Sequence, residues 1–486
     1  MRYFLGIDVG TQGVRCIVVN EQGSVAAAAT RPLNNHAAPS AAPGWHEQKP
    51  EQWWTATADC IAEIVKALAQ DGIAPGHIAA LSADSTSGTV LPVNAEGKPL
   101  RPAIMYNDGR ADAEAEEINS VAADHCERHG YRFSSSYALA KILWIKRNEP
   151  EVFDRTHYFI HATDYILGRL TGDFVTTDLS SALKTGCDLF QCSWPRFIQS
   201  ELGIPLDKLP QPVKSGTFIS NLCLDGAEAT GLSLKTKAVA GMTDGTAGFL
   251  CSGASQVGDF NSTLGTTLVL KGISDRILTD PQGRLYSHRH PSGYWLPGAA
   301  SNVGGECLAK QFANADLAAL DQQAIALSPT RLLAYPLERE GERFPFADKA
   351  AEGFLVGEPV SDEERYTALL EGVGYVERMS YDLLAGLGTP INETIFATGG
   401  GSKSREWMQI RSDILNRPLR RPELAESAFG ACLLAAAYSA YPSLAAAIEA
   451  MVRFTDEIEP RADKVDAYAE RYEAFKAECA KRGYIA

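Results

Sequence analysis

Tyr3-Phe4-Leu5-Gly6-Ile7-Asp8-Val9-Gly10-Thr11-Gln12-Gly13-Val14-Arg15, running on into Cys16-Ile17-Val18-Val19-Asn20, decides the fold of this chain. An apolar strand climbs to Asp8, a turn carries Gly10 and Gly13, and a second β-branched strand leaves. A carboxylate therefore sits at a strand end beside a loop of little side-chain bulk, whose backbone N–H groups can approach an anion closely. These residues alone leave two readings open. One is an anion site; the other is a hairpin whose Asp8 merely satisfies turn amides.

Outward from this stretch the chain is turn-rich and Pro-rich over residues 31–50. Pro50-Glu51-Gln52-Trp53-Trp54 then opens an amphipathic helix to about Leu68. Ile78-Ala79-Ala80-Leu81-Ser82-Ala83-Asp84 reads as a buried strand ending in Ser85-Thr86-Ser87-Gly88-Thr89. Val90-Leu91-Pro92-Val93 reads as a strand, with a tight turn over residues 94–98, and residues 112–166 read as mostly helical. Near residue 240 the opening pattern restarts with Ala238-Val239-Ala240-Gly241-Met242-Thr243-Asp244-Gly245-Thr246. Further strand-turn units follow at Leu264-Gly265-Thr266-Thr267 and at Ile395-Phe396-Ala397-Thr398-Gly399-Gly400-Gly401-Ser402. The pattern predicts two α/β halves, residues 1–240 and 241–486. Small polar residues stand at the strand ends, where α/β ligands sit, and a cleft between the halves is the default site.

Bulk properties bound the function. A chain of 486 residues exceeds one ordinary core, since domains hold roughly 100–200 residues. The net charge of −15 disfavours nucleic acid, and the densest basic cluster, Arg417-Pro418-Leu419-Arg420-Arg421-Pro422, is short. The 10 cysteines include no Cys-x-x-Cys pair, which suits reduced, scattered thiols in a cytoplasmic protein. Residues 429–452 form the most lipid-like stretch. Tyr438, Ser439, Tyr441 and Pro442 break it into two buried Ala-rich helices, so no membrane span is expected.

Asp8, Asp84 and Asp244 stand at strand ends, two turns are Gly-Thr, and one is a triple glycine. Phosphoryl transfer asks little covalent chemistry of a protein. It needs amide donors around phosphates, a carboxylate for a metal, and a base near the attacking hydroxyl. The set fits ATP-dependent phosphorylation of a small polyol. Two carboxylates from different halves would meet across the cleft, one at the metal and one at the hydroxyl. No Gly-x-x-x-x-Gly-Lys-[Ser/Thr] and no Gly-x-Gly-x-x-Gly after the first strand occur, which excludes a P-loop enzyme and disfavours a dinucleotide domain. Each feature also has a plain alternative. The triple glycine could be a tight turn, Asp244 and Asp84 could cap helices, and Lys141 could snorkel beside a core Trp144. His125/His129 and His157/His161 have metal-like i, i+4 spacing, but neither pair has an accompanying His-Glu-x-x-His pattern, and a solvated face suits the first better.

In this order the motifs resemble the FGGY carbohydrate kinase family over essentially the whole chain. Gly6-Ile7-Asp8-Val9-Gly10-Thr11 is similar to its first phosphate motif, Leu264-Gly265-Thr266-Thr267 to the second, and Gly399-Gly400-Gly401-Ser402-Lys403-Ser404 to its adenosine motif. Residues 44–54, Tyr106-Asn107-Asp108-Gly109-Arg110 and residues 137–144 also resemble family stretches. Residues 353–357 match the second family signature only in part.

The resemblance implies two actin-like, ribonuclease-H-like α/β domains closing over ATP and a sugar. Asp244 would be the catalytic base for the sugar hydroxyl, with domain closure excluding water and positioning counting for more than basicity. Asp8 would be catalytic by holding Mg2+. Thr11, Gln12, Gly265 and Thr266 would face the phosphates. Gly400, Gly401 and Ser404 would border adenosine, with Trp407 packing on it. Thr86, Ser87 and Tyr106, with Asp244, would bind the sugar. Typical xylulose kinases carry Gln-Met-His-Gly where this chain has Ser85-Thr86-Ser87-Gly88, and Asp84-Ser85-Thr86-Ser87-Gly88-Thr89-Val90 instead resembles D-ribulose kinases. The expected reaction is ATP + D-ribulose → ADP + D-ribulose 5-phosphate, in a cytoplasmic monomer or homodimer. The alternatives are a D-xylulose or other polyol kinase, and, outside that class, a non-catalytic actin-like ATP clamp.

Overall fold

The computed structural model describes residues 1–33 and 42–485, so part of the Pro-rich 31–50 segment lies outside the described residues. The chain forms two compact units. The first holds Met1–Cys251, His288–Tyr294 and Glu426–Val452; the second holds Ser252–Ser287, Trp295–Ala425 and Arg453–Ala486.

The first unit is built on a mixed sheet of β1 (Tyr3–Val9), β2 (Gly13–Asn20), β3 (Val25–Pro32), β4 (Ile78–Ser85), β5 (Phe218–Asn221), β6 (Lys237–Val239) and β7 (Met242–Thr243). Its order is β5-β6-β4-β1-β2-β3, with β7 on the far part of β4. β1 runs antiparallel to β2 and parallel to β4. Side chains alternate between faces along a strand. Leu5, Ile7 and Val9 accordingly share one core with Trp53, Cys60, Ile61, Ile64 and Leu68 of the helix Pro50–Gln70. Gly6 lies on the other face, where the helix Ser427–Ser439 packs so closely that a Cβ at Gly6 would stand 1.8 Å from the Ala428 carbonyl oxygen. Asp8 belongs to that second face.

The second sheet repeats the first four strands of this plan and is built of β8 (Phe260–Leu264), β9 (Leu268–Gly272), β10 (Trp295–Ser301), β11 (Ile395–Thr398), β12 (Leu419–Pro422) and β13 (Phe454–Ile458), in the order β10-β9-β8-β11-β12-β13, with the strand Leu285–Arg289 at the edge beside β10. Its core joins the helix Asp362–Gly386 to the helix Arg405–Leu415 through Tyr375, Val376, Met379, Ile410 and Ile414. Among these apolar contacts a fully buried Arg411 makes a bidentate pair with Glu377 (2.7 and 2.8 Å).

The sequence boundary at about residue 240 needs correction. The first unit runs to Cys251, so Asp244 belongs with Asp8 and not with the other half. The cause is pairing: Met242 and Thr243 lie beside Asp84 and Ser85 in parallel register, and the helix Asp244–Leu250 follows directly. The two Ala-rich helices, Ser427–Ser439 and Leu444–Met451, also fold into the first unit: Ala428 of the first lies against Gly6 and Met451 of the second against Gly23. The helical stretch over residues 112–166 is interrupted by the short strand Tyr158–Ile160. No helix among the described residues is long and apolar enough to cross a membrane.

Candidate active site

Three carboxylates meet at one end of the first unit's sheet. Asp8 and Asp84 are register partners on β1 and β4, and Met242, two residues before Asp244, is a register partner of Asp84. Asp84 is fully buried, and among the described residues no N–H or O–H donates to either of its oxygens. Its carboxyl neighbour is Asp8. Burial, then the charges of Asp8 and Asp244, push the Asp84 carboxyl well above the ordinary range. Burial also pushes Asp8 up to about 6, against the hydrogen bond from Asp84 and the charge of Arg15. The pair is therefore satisfied when Asp84 keeps its proton and donates it to the ionised Asp8. Asp244 opens its helix with one carboxylate oxygen accepting from the Gly245 N–H (2.6 Å).

Of the two readings of the opening turn, the hairpin exists: the Gly10 N–H closes on the Gly13 carbonyl (3.0 Å). Asp8 faces Asp84 across the strands, beside that turn. The turn is braced from outside. Gln48 donates to the Thr11 carbonyl (2.9 Å) and accepts from the Trp53 indole (2.8 Å), and the Leu33 N–H donates to the Gln12 carbonyl (2.8 Å).

The loop over residues 85–89 leaves β4 beside the carboxylates. Ser85 Oγ bonds Thr163 Oγ1 (2.6 Å), and Thr86 Oγ1 bonds Thr89 Oγ1 (3.1 Å). Ser87 Oγ is buried without a partner among the described residues. Tyr106 is 37% exposed and opens a turn locked by Asp108. Asp108 accepts from the His46 N–H (2.5 Å) and from Arg110 Nε (2.8 Å), and Arg110 stacks on Trp45 (3.8 Å) and reaches Glu47 (2.7 Å). Burial raises the Asp108 carboxyl, and Arg110 more than reverses that, leaving it below its ordinary value. The two sequence stretches around residues 44–54 and 106–110 are thus one structure.

The second unit carries a cavity of about 520 Å³ lined by Gly265, Thr266, Gly400, Gly401, Ser404 and Trp407, all six expected from sequence. The glycines have separate reasons. Gly399 has φ +86°, and a Cβ there would lie 2.5 Å from the Leu264 carbonyl oxygen; a Cβ at Gly401 would lie 3.0 Å from the Trp407 ring. At Gly400 nothing stands within 4 Å. The tight-turn reading therefore covers Gly399, while Gly400 leaves open space at the cavity wall. Trp407 is nearly buried and donates to the Leu370 carbonyl (3.2 Å). Ser404 caps its helix by accepting from the Trp407 N–H (3.0 Å).

Several lining residues escaped the sequence reading. Gly305 donates to the Gly265 carbonyl (2.8 Å), and a Cβ at Gly304 would lie 2.5 Å from the Thr266 carbonyl oxygen; this glycine pair was a legible signal. Leu317, Ala318 and Asp321 arrive on one helix, with Tyr366 donating to Asp321 (2.7 Å), and no local motif announces them. Asp84 is one of the three strand-end carboxylates of the sequence, with a helix cap as its plain alternative, and the sequence assigns it no role in the site.

The histidine pairs hold structure. His125 and His129 stack at 4.1 Å, and His129 Nδ1 donates to the His125 carbonyl (2.9 Å). His161 bonds the Thr89 carbonyl and Thr185 Oγ1. Among the described residues no group of three or more His, Cys, Asp or Glu is arranged to hold a metal ion. Lys141 does not snorkel: it is fully buried.

Two ribonuclease-H-like units, one with strand-end carboxylates and the other with a glycine-walled cavity, make an actin-like phosphotransferase fold. Family models for the FGGY family of carbohydrate kinases match residues 3–251 with the N-terminal domain and residues 260–439 with the C-terminal domain. The chain belongs to this family and is a sugar kinase. It is 29% identical to a xylulose kinase of Bacillus subtilis, covering 98% of this chain and 96% of that one. It is 30% identical to a xylulose kinase of Escherichia coli, covering 86% and 85%. The structure of a xylulose kinase from Rhodospirillum rubrum superposes with a TM-score of 0.86 at 28% identity, covering 99% of each chain.

Proposed function

We propose that this kinase transfers the γ-phosphate of ATP to the terminal hydroxyl of a ketopentose, with D-xylulose its first substrate. The names of the relatives support D-xylulose over the D-ribulose expected from sequence. The observation that carries the reading is the convergence of Asp8, Asp84 and Asp244 beside the hydroxyl-rich loop 85–89. D-ribulose remains the second reading because that loop presents Ser85, Thr86 and Ser87 in place of Gln-Met-His, and Ser87 Oγ is buried without a protein partner.

Asp244 accepts the proton of the attacking hydroxyl, its carboxylate held at the start of its helix by the Gly245 N–H, beside the loop that carries Ser87. Ser87, Thr86 and Tyr106 orient the sugar. Thr11, Gln12, Gly265 and Thr266 bind phosphates through amides and hydroxyls, and Gly400, Gly401, Ser404 and Trp407 border the adenosine. Mg2+ takes one or two carboxylates plus substrate phosphates, and the half-buried, ionised Asp8 beside the turn fits such a partial ligand set. The ion would neutralise charge on the transferring phosphoryl group.

A coupled ADP-release assay over D-xylulose, D-ribulose, pentitols, glycerol and ketohexoses tests this. Preference for D-xylulose supports the first reading, and preference for D-ribulose transfers it to the second. A preference for glycerol or a hexulose, or no stimulation by any sugar, would overturn both.

A further inference from the structure

The loop over residues 85–89 is tethered at nearly every residue. Gly88 has φ +89°, and a Cβ there would lie 2.2 Å from the Ser136 carbonyl oxygen, so the loop lies hard against the turn preceding the helix Ala138–Asn148. From that helix Lys141 Nζ donates to the Gly88 carbonyl (3.1 Å). The next carbonyl, Thr89, accepts from His161 Nδ1 (2.9 Å), and His161 Nε2 accepts from Thr185 Oγ1 (3.1 Å). Ser85 and Thr86 are held by Thr163 and Thr89. Ser87 Oγ, between these tethers, is the loop hydroxyl without a protein partner among the described residues.

Lys141 is costly where it stands. It is fully buried, and no carboxylate among the described residues pairs with it directly. Burial brings its ammonium down to about 7, with Asp108 raising it and Lys184 and Arg110 lowering it further. A buried cation held by one carbonyl is a net expense to stability, and an apolar chain of the same length would fill the space without it.

We propose that Lys141 is a positioning residue for the sugar: by fixing the Gly88 carbonyl it aims the Ser87 hydroxyl at the substrate. The proposal rests on the ketopentose kinase reading, in which Ser87 faces the sugar. Removing the ammonium frees the loop at its tightest point and leaves the second unit's cavity untouched.

The test compares wild type, Lys141→Met, Ser87→Ala and the double variant, measuring kcat, KM for the sugar, ADP affinity by calorimetry, and Tm. Loss of one charge-assisted hydrogen bond predicts a sugar KM about tenfold higher in Lys141→Met, with ADP affinity unchanged. The double variant is expected to be no worse than the worse single one, because Lys141 acts through Ser87. An unchanged sugar KM, additive losses in the double variant, or a parallel loss of ADP affinity would each overturn the proposal. If the methionine variant does not fold, Lys141→Gln carries the same expectation for KM. A wild type that turns over no sugar overturns the kinase reading and this inference together; an active wild type beside an indifferent Lys141→Met overturns this inference alone.

Discussion

The two units place their first four strands in the same order and put opposite chemistry at the same point. In the first, β1 pairs with β2 antiparallel and with β4 parallel; in the second, β8 pairs with β9 antiparallel and with β11 parallel. The next-to-last residue of the central strand is Asp8 in one and Thr263 in the other, and their register partners are Asp84 and Thr398. The carboxylate pair has to keep a proton or attract a cation. The threonine pair is neutral and self-satisfied: Thr263 Oγ1 meets Thr398 Oγ1 at 2.9 Å, and Asn261 donates to both. One sheet end thus gathers carboxylates that share a proton, and the other is neutral, its hydroxyls bound to one another, beside an open glycine wall.

The strongest way to break this division is Asp244→Asn. Loss of a positioned base lowers kcat by about 10²–10⁴-fold. ADP affinity should be unchanged by calorimetry, because the cavity assigned to adenosine lies in the second unit. Near-normal turnover would remove Asp244 from the base role.

Much of this contrast is legible in the sequence. The strand-Asp-glycine pattern around Asp8, the buried strand ending at Asp84 and the triple glycine at residues 399–401 are local features, and periodicity with turn chemistry suffices to read them. The allegiance of Asp244 was not legible. It follows from the parallel pairing of Met242 and Thr243 with β4, a contact distant in sequence. The state of Lys141 was equally hidden, since helical spacing beside Trp144 looks the same whether the ammonium reaches water or the Gly88 carbonyl. Asp321 joins the cavity only through tertiary packing of its helix.

On the second unit, Gly400→Val is the next test in size. The protein leaves the space of a Cβ empty at Gly400, and the residue lines the cavity assigned to adenosine, so the added bulk should meet the ligand. KM for ATP should rise roughly tenfold, as for one lost or blocked contact of ordinary strength, with Tm and the sugar KM unchanged. A fall in Tm with KM unaltered would return the glycine to a turn-forming role.

The carboxylate pair also predicts a pH signature. Asp8 and Asp84 hold protons more tightly folded than unfolded. Above the unfolded carboxylate range near ~4 the unfolded state binds fewer protons, so stability falls as pH rises: the part due to Asp8 is lost by about pH 6, and the part due to Asp84 goes on falling while Asp84 keeps its proton. Asp84→Asn copies the neutral acid, with an amide N–H for the proton it donates to Asp8. The drop in Tm from pH 5 to pH 8 should then be smaller than in wild type by about 2–4 °C. An equal drop in both would mean that the pair carries no excess proton.

The smallest expected effect falls on the threonines. Thr263→Val removes one hydroxyl, yet Asn261 keeps its donation to Thr398 (3.0 Å), so no buried polar group is stranded. The cost should be about 1 kcal/mol of stability in denaturant titration, the usual net worth of one hydrogen bond. KM for ATP should not move, because the pair is already saturated internally and has no donor to offer a phosphate. A rise in KM for ATP without loss of stability would show that the hydroxyls face the nucleotide after all. The two sheet ends would then share a ligand-binding role, differing only in the charge they bring to it.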